Sequence, residues 1–335
     1  MNKEFDAFVV REKNSKFFRS IEKKNISNLP KGEVLIEVYY SSINYKDILS
    51  CIGNKTVTRH YPHTPGIDAA GIVITSSNKN IKKGDEVVVI SFDLGANTDG
   101  GFGQFIRVPA KWVMPLPEGL SLRESMIFGT AGFTAALAVD FLNKNKINKD
   151  MPVLVTGATG GVGSISLALL SSLGYNVEAS TGKRNSINYL KRIGAKKIIY
   201  KEDLIDKYDR TLLNENWVGA IDTVGGKTLE YLIKSCQKKG VIVSAGMVSS
   251  SSLNTSIYPF ILRGINLIGT GASEVSMKDR LRIWTLISKD WKLNILDELC
   301  TEISFYEIDK YIDKFLKSEH IGRTIVNLKK ISKED

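Results

Sequence analysis

A glycine-rich turn between an apolar strand and an apolar helix is the feature that most restricts the fold of this chain. The turn reads Val155-Thr156-Gly157-Ala158-Thr159-Gly160-Gly161-Val162-Gly163. Glycines without a Cβ allow the backbone to turn sharply and a diphosphate to approach it closely. The N-terminus of the following helix offers free N–H groups and a partial positive charge to phosphates. The turn therefore predicts a dinucleotide site, although its G-x-x-G-x-x-G spacing differs from the usual G-x-G-x-x-G.

The segments around the turn alternate between short apolar strands and helices. The predicted strands are 153–156, 177–179, 197–200, 220–223, 241–245 and 266–269, and the predicted helices between them are 162–173, 186–193 and 228–236. Strands rich in Val and Ile that alternate with helices are typical of a parallel sheet covered on both faces. The middle of the chain therefore predicts an α/β fold, a Rossmann-type doubly wound parallel sheet.

The two ends of the chain have a different pattern. Residues 1–124 contain closely spaced predicted strands with Gly and Pro turns, which is typical of a small, partly closed β-barrel. These strands are 33–41, 71–75, 86–90, 105–108 and 112–114. Predicted helices 122–142, 276–289 and 306–317 and a last strand, 323–328, complete the chain. With 335 residues, two domains are expected at about 100–200 residues each, and the tail would fold back on one of them.

Charge and cysteine content narrow the choice of partners and compartment. The chain has 46 Lys and Arg against 36 Asp and Glu, a formal charge of +10. This balance suits polyanions such as nucleic acids, phosphorylated cofactors or coenzyme A esters. The basic residues are spread in pairs without a nucleic-acid-binding motif, so we expect no nucleic-acid partner. Three cysteines that cannot all pair, Cys51, Cys236 and Cys300, indicate reduced thiols in a cytoplasmic protein.

Neither a membrane span nor a signal peptide is expected from the sequence. The sequence indicates no apolar run that approaches the roughly 18–20 residues needed to cross a bilayer. The first six residues include Glu4 and Asp6, where a signal peptide has a basic and then an apolar stretch. We therefore expect no membrane partner.

The end of the second predicted strand of the α/β region indicates which dinucleotide binds. A site for NAD usually has Asp or Glu there to bind the ribose 2′-hydroxyl. Glu178 comes two residues early, and the strand ends instead in Thr181-Gly182-Lys183-Arg184. Small residues followed by two cations suit a 2′-phosphate. We therefore favour NADPH, while a solvated helix start without a phosphate is the structural alternative.

A series of motifs in order resembles the medium-chain dehydrogenase/reductase superfamily, in its zinc-independent quinone oxidoreductase branch and nearest to the NADPH-dependent acryloyl-CoA reductases. The resemblance covers nearly the whole chain. Besides the glycine turn, it rests on the segments 41–47 (SSINYKD), 65–71 (PGIDAAG), 84–87 (GDEV), 129–135 (GTAGFTA), 219–225 (GAIDTVG), 259–263 (PFILR) and 322–324 (GRT).

The resemblance implies a domain organisation and an assembly. A GroES-like β-barrel catalytic domain would comprise residues 1–124 and 273–335, around an inserted Rossmann NADPH-binding domain at 125–272. It also implies a homodimer joined through the edge strand at about 267–271. Pairing would cover an apolar edge that otherwise invites aggregation.

The resemblance also implies which residues bind the cofactor. These are Tyr45, Thr159, Gly160, Gly161, Val162, Thr181, Gly182, Lys183, Arg184, Lys201, Met247 and Ile261. Lys201 stands where the family usually has arginine, which weakens a bidentate phosphate contact. No metal is expected, because Asn44 and Ile67 stand where the zinc enzymes have Cys and His ligands.

The chemistry expected from this resemblance is hydride transfer to an activated C=C bond. Tyr45 is the candidate hydrogen-bond or proton donor near the nicotinamide, and packing of its ring is the structural alternative. Arg323 in the tail is the second catalytic candidate, for a coenzyme A or cofactor phosphate. Three hypotheses stay open: reduction of a short enoyl-CoA such as acryloyl-CoA, reduction of a quinone, and a non-enzymatic NADPH-binding or RNA-binding role.

Overall fold

The computed structural model describes residues 3–206 and 210–330, so the ends of the predicted ranges at 1–2 and 331–335 lie outside it. The strands are β1 (Glu4–Lys13), β2 (Lys16–Asn25), β3 (Val34–Ser42), β4 (Asp68–Ser76), β5 (Glu86–Ile90), β6 (Phe105–Val108), β7 (Met114–Pro115), β8 (Pro152–Val155), β9 (Asn176–Thr181), β10 (Lys197–Tyr200), β11 (Trp217–Asp222), β12 (Cys236–Ser244), β13 (Asn266–Gly269), β14 (Cys300–Ser304) and β15 (Arg323–Asn327). The α-helices are α1 (Tyr45–Cys51), α2 (Leu122–Lys144), α3 (Gly161–Ser172), α4 (Ile187–Arg192), α5 (Gly226–Ser235), α6 (Tyr258–Arg263), α7 (Met277–Ser288) and α8 (Ile308–Leu316).

The described chain divides into two compact units, one made of residues 3–130, 272–288 and 300–330, the other of 131–271 and 289–299. The expectation that 289–299 belongs to the tail of the first unit is wrong. Leu293 and Leu296 in this segment are buried, and Glu298 forms an ion pair with Arg192 at the end of α4. The segment therefore packs with the α/β unit.

The first unit is a mostly antiparallel β structure. Its seven-stranded sheet has the order β14-β15-β3-β4-β5-β7, with β6 also paired to β3, and the hairpin β1-β2 forms a second sheet. Alternate residues of β3, among them Val34, Ile36 and Val38, are fully buried in the core of this unit. The period of two residues, read from the sequence for 33–41, thus places one face of the strand inside.

The second unit contains the predicted parallel sheet, in the order β10-β9-β8-β11-β12-β13. From β8 the chain runs outward through β9 and β10, and it then returns to start again at β11. The order therefore reverses beside β8, where open α/β sheets bind their ligands at the carboxyl ends of the strands. The glycine turn follows β8 directly.

Helix α2 is long and apolar enough to pass a simple test for a membrane span, contrary to the sequence expectation. However, 89% of the apolar 18-residue stretch in this helix is buried inside the fold, as in the core helix of a globular protein. The helix is also interrupted at Gly129, whose φ of 50° and ψ of −155° are not helical. This kink turns the backbone at Thr130 toward the site described below.

The three cysteines are free thiols, as expected. Cys51 and Cys236 are buried and Cys300 is half-buried. Burial raises the pKa of the Cys236 thiol to about 12, so this cysteine stays protonated at neutral pH.

Candidate active site

The glycine turn has the geometry of a cradle for phosphate. Gly157 has a left-handed φ of 56°, and a Cβ there would collide with the hydroxyl of Thr223. A Cβ on Gly163 would collide with the carbonyl oxygen of Gly157 and would lie 2.8 Å from Ala158 Cα. Gly160 is the N-cap of α3 and has no capping side chain. The helix thus begins with backbone N–H groups that no side chain at the cap engages, which fits a dinucleotide diphosphate.

Hydrogen bonds to the end of β11 hold this turn in place. Thr156 Oγ1 donates to Asp222 Oδ1 over 2.6 Å, and Thr223 Oγ1 donates to the carbonyl oxygen of Thr156 over 2.9 Å. Asp222 also accepts the backbone N–H of Gly225. Burial raises the pKa of Asp222, and the hydrogen bond from Thr156 opposes this shift. Because Thr156 is bonded through both its hydroxyl and its carbonyl oxygen to the end of β11, the start of the turn is fixed before any ligand binds.

Three cations meet at the carboxyl ends of β9 and β10. Lys183 is half-buried, and burial lowers its pKa. The guanidinium of Arg184 lies over the ring of Tyr200 at 4.5 Å. The aliphatic chain of Lys201 lies against Gly182, since a Cβ at Gly182 would be 2.9 Å from Lys201 Cδ. The structure thus brings together Lys183 and Arg184, which the sequence pattern predicted, and Lys201, which the resemblance implied.

Glu178 does not take part in this group. It is buried, accepts a hydrogen bond from Trp217 Nε1 over 2.8 Å, and lies 3.7 Å from Lys197 Nζ. The side chain is therefore engaged by residues of β10 and β11. This arrangement leaves the end of β9 basic, which suits a 2′-phosphate better than a free 2′-hydroxyl.

Two further cofactor candidates are exposed apolar residues. Met247 is 65% exposed and lines a cavity of about 370 Å³ at the carboxyl ends of β12 and β13, together with Gly225, Gly246 and Thr270. Ile261 is 69% exposed on α6 and is not among the residues that line this cavity. Their contact with a cofactor stays a prediction.

Tyr45 begins α1 in the first unit and is 51% exposed. Asp47 fixes the backbone around it: Oδ2 accepts the N–H of Asn44, and Oδ1 accepts the N–H groups of Gly66 and Ile67 at 3.1 and 2.9 Å. Asp47 thus holds the loop through hydrogen bonds to the backbone. The exposed phenol is thus carried on a rigid turn, available to a ligand.

Arg323 is placed differently from the expectation that it meets a phosphate. Its side chain is 2% exposed, and its guanidinium donates to the carbonyl oxygens of Ile127 and Ile43, to Asn44 Oδ1 and to Ser42 Oγ. Nη2 also lies 3.6 Å from the buried carboxylate of Asp68. Burial lowers the pKa of Arg323. The guanidinium is engaged by the protein itself, so we reassign Arg323 to a structural role beside Asn44.

Sequence reasoning missed Asp68 as a site residue. Its carboxylate accepts hydrogen bonds from Ser42 Oγ, Asn44 Nδ2 and both the N–H and the hydroxyl of Thr130. The only signal in the sequence is an acid at the start of an apolar strand, in the segment PGIDAAG. Its partners are distant in the chain, so no local pattern identifies them.

Within residues 3–206 and 210–330, no group of three or more His, Cys, Asp or Glu side chains is arranged to hold a metal ion. His63 is buried, and its Nε2 lies 2.9 Å from the carbonyl oxygen of Gly95. Burial lowers the pKa of His63.

A two-unit fold with a β-sheet unit and a dinucleotide-type α/β unit defines a class of oxidoreductases, and comparisons with known proteins agree with it. Residues 30–118 match the family described as “Alcohol dehydrogenase GroES-like domain”, and residues 161–285 match “Zinc-binding dehydrogenase”. The two units are therefore a GroES-like domain and a Rossmann domain. The chain belongs to the medium-chain dehydrogenase/reductase superfamily.

Several relatives match over almost their full length. The acrylyl-CoA reductase AcuI of Ruegeria pomeroyi is 38% identical over 97% of this chain and 99% of its own. YhfP of Bacillus subtilis, which is named as a quinone oxidoreductase, is 42% identical over 92% of this chain and 95% of its own. A crystal structure of YhfP with NAD bound aligns with a TM-score of 0.94 at 40% identity, covering 97% of this chain and 100% of that one. The yhdH oxidoreductase of Salmonella enterica in complex with NADP aligns with a TM-score of 0.93 at 37% identity, covering 96% and 99%.

Proposed function

We propose that this protein is an NADPH-dependent reductase of the activated C=C bond of a short enoyl-CoA, with acryloyl-CoA converted to propionyl-CoA. The observation that carries this proposal is the similarity to an acrylyl-CoA reductase over 97% of the chain. The exposed Tyr45 on a rigid turn and the basic group at the end of β9 support it.

The residues of the Rossmann domain fit NADPH. Gly157, Gly160 and Gly163 form the cradle for the diphosphate, and Lys183, Arg184 and Lys201 provide positive charge for a 2′-phosphate. The structure of yhdH with NADP supports this choice, while YhfP was crystallised with NAD. The basic end of β9 favours NADPH for this chain.

The proposed reaction adds a hydride to the β-carbon and a proton to the α-carbon of the enoyl thioester, so that C=C becomes CH–CH. NADPH held by the glycine turn and the three cations would supply the hydride and would thereby be oxidised to NADP⁺. Tyr45 has the task of donating a hydrogen bond to the thioester oxygen as negative charge develops there, or of supplying the proton. Donors that are held in place before the reaction stabilise this charge without reorganisation. The rigid turn of Asn44 and Asp47 provides such a placement for the phenol.

Quinone reduction is the second candidate, because the relative YhfP carries that name at 42% identity. A quinone also accepts a hydride from NADPH and a proton from the protein. The same residues would therefore serve both substrates, and only the acceptor would differ.

The assembly and the compartment also belong to this proposal. Strand β13 lies at the edge of its sheet, and α6 beside it in the chain exposes Ile257, Tyr258, Ile261 and Leu262 near or on that helix. We propose that two copies pair at this edge as a homodimer. Free thiols support a cytoplasmic location.

Steady-state oxidation of NADPH with acryloyl-CoA and with 1,4-naphthoquinone tests the proposal. We expect kcat/KM for acryloyl-CoA to exceed that for the quinone, and NADPH to be preferred over NADH. Conversion of the quinone alone would replace the first function by the second. Tyr45→Phe should lower kcat for acryloyl-CoA by about 10–100-fold, since a positioned donor usually contributes this much.

A further inference from the structure

Four buried polar side chains and the half-buried Thr130, from four segments of the first unit, meet around Asp68. We call them the Asp68 cluster: Ser42, Asn44, Asp68, Thr130 and Arg323. Asp68 lies at its centre. Oδ2 accepts from Ser42 Oγ at 2.5 Å and from Asn44 Nδ2 at 2.8 Å, and Oδ1 accepts from the Thr130 hydroxyl at 2.5 Å.

The cluster holds both ends of the Asn44 amide. Nδ2 donates to Asp68, and Oδ1 accepts from Arg323 Nη1 at 3.1 Å. The backbone N–H of the same residue is bound by Asp47. Asn44 is the N-cap of α1, and the next residue is Tyr45. The backbone from which the Tyr45 side chain extends therefore follows a residue whose side chain and backbone are both fixed.

The kink in α2 is part of the same arrangement. A Cβ on Gly129 would collide with Asp68 Oδ2 and would lie 2.9 Å from Arg323 Nη2. The missing side chain at this position allows the backbone N–H of Thr130 to reach both oxygens of Asp68 at 3.0 Å. The cluster thus depends on close packing as well as on hydrogen bonds.

Stability alone gives little reason for such a cluster. Removing an aspartate and an arginine from water is costly, and apolar side chains of similar volume often stabilise a protein as well or better. What a fully bonded polar network provides is one defined geometry. In this unit the network fixes the side chain of Asn44, the residue before Tyr45.

We propose that Asp68 is a positioning residue for Tyr45, acting through the Asn44 amide that it holds together with Arg323. This inference rests on the proposed function only in its prediction that kcat falls when the positioning is lost. The placement of the ring is a property of the free protein. Asp68 itself touches no reacting atom in this proposal.

A double-mutant cycle tests the catalytic consequence. Asn44→Ala removes the amide but leaves the ion pair of Asp68 with Arg323 and the backbone bond to Asp47. We expect it to lower kcat by about 10–100-fold, because a small misplacement of a catalytic group costs this much. In a Tyr45→Phe background the same change should cost less than about threefold, since the group that it positions is already gone. An equal loss in both backgrounds would overturn the proposal.

A second measurement does not depend on the substrate. In protein labelled with 3-fluorotyrosine, the ¹⁹F resonance of Tyr45 is the one of 12 that disappears in Tyr45→Phe. Asn44→Ala and Asp68→Asn should both shift or broaden this resonance and leave most of the others in place. An unchanged Tyr45 resonance in folded Asn44→Ala would refute the positioning role. Absence of any reductase activity in the wild type would instead refute the proposed function and leave the NMR result to decide.

Asn54→Ala provides a matched control. Asn54 follows α1 at its other end, and its side chain accepts only from Thr56 among the bonds described for residues 3–206 and 210–330. We expect neither the rate nor the Tyr45 resonance to change in this variant. If Asn44→Ala does not fold, as judged by circular dichroism, Asn44→Ser replaces it, because the shorter side chain cannot bridge Asp68 and Arg323.

Discussion

Asp47 shows how burial changes the chemistry of a single carboxyl group. Its pKa is raised from 3.8 to about 7, chiefly by burial and then by the nearby carboxylate of Asp68, while three backbone N–H groups oppose the shift. The group thus carries out its structural task, bonding the backbone of Asn44, Gly66 and Ile67, at a cost in charge burial. The cost is present only when Asp47 is ionised.

A dependence of stability on pH follows from this shift. The pKa in the folded state lies above the value of 3.8 in the unfolded state, so the folded state binds the proton more tightly. The contribution of Asp47 to the free energy of unfolding is complete below about pH 4. It is lost as the pH rises through about 7, by up to about 1.4 kcal/mol per pH unit. Asp47→Asn should lack this contribution.

Urea unfolding of the wild type and of Asp47→Asn between about pH 5 and about pH 8 measures the effect. The free energy of unfolding of the wild type should fall relative to that of the variant, steeply below pH 7 and little above it. Parallel curves for the two proteins would contradict the raised pKa. Near-UV circular dichroism must show that the variant keeps its native packing.

At the scale of secondary structure, short runs rich in apolar residues predict several strands well. The bounds of β5, β6, β10 and β13 were predicted from the sequence and are confirmed. The hairpin β1-β2 was missed, because charged residues interrupt the apolar ones in β2, which reads KFFRSIEKKN. The predicted strand at 112–114 is largely wrong: Ala110–Trp112 forms a 3₁₀ turn, and β7 is only Met114–Pro115.

The residues of the candidate site also differ in how far the sequence alone identifies them. The residues of the glycine turn follow one another in the sequence, and so do the cations Lys183 and Arg184. Local patterns therefore identify both groups. Arg323 and Asp68 are 255 residues apart by their numbers, and only the fold brings them together. A residue whose role depends on such distant partners has no local signature, which is why the role of Arg323 was predicted incorrectly.

The glycine turn itself gives a prediction with a matched pair of variants. A methyl group on Gly163 meets backbone atoms on the inside of the turn, whereas on Gly160 its nearest neighbour is the Gly157 carbonyl oxygen at 3.3 Å. Gly163→Ala should therefore destabilise the fold by about 1–3 kcal/mol. Gly160→Ala should change stability by less than about 0.5 kcal/mol but weaken NADPH binding at least about tenfold, because the methyl group occupies space needed by the diphosphate.

Thermal unfolding and fluorescence titration with NADPH separate these two effects. Gly174→Ala, at a left-handed glycine with open space around it, serves as a control for backbone strain alone. Normal NADPH affinity in Gly160→Ala would exclude the turn as the diphosphate site.

At the scale of the whole molecule, the exposed edge of the Rossmann sheet needs an explanation. Among the described residues, strand β13 pairs only with β12, and Leu267 and Ile268 within it are half-buried. Edge strands with apolar side chains invite uncontrolled association unless they are covered. An isologous pair of two such strands covers both edges at once.

A charge placed in this strand should separate the two copies. Ile268→Lys is expected to change the mass in solution from two chains to one chain of 37.1 kDa, measured by sedimentation velocity. Binding of NADPH should persist, because the glycine turn follows β8, three strands away from β13 in the sheet order. A wild-type protein that sediments as a single chain would contradict the dimer, and loss of NADPH binding in the variant would show that the dinucleotide site depends on pairing at this edge.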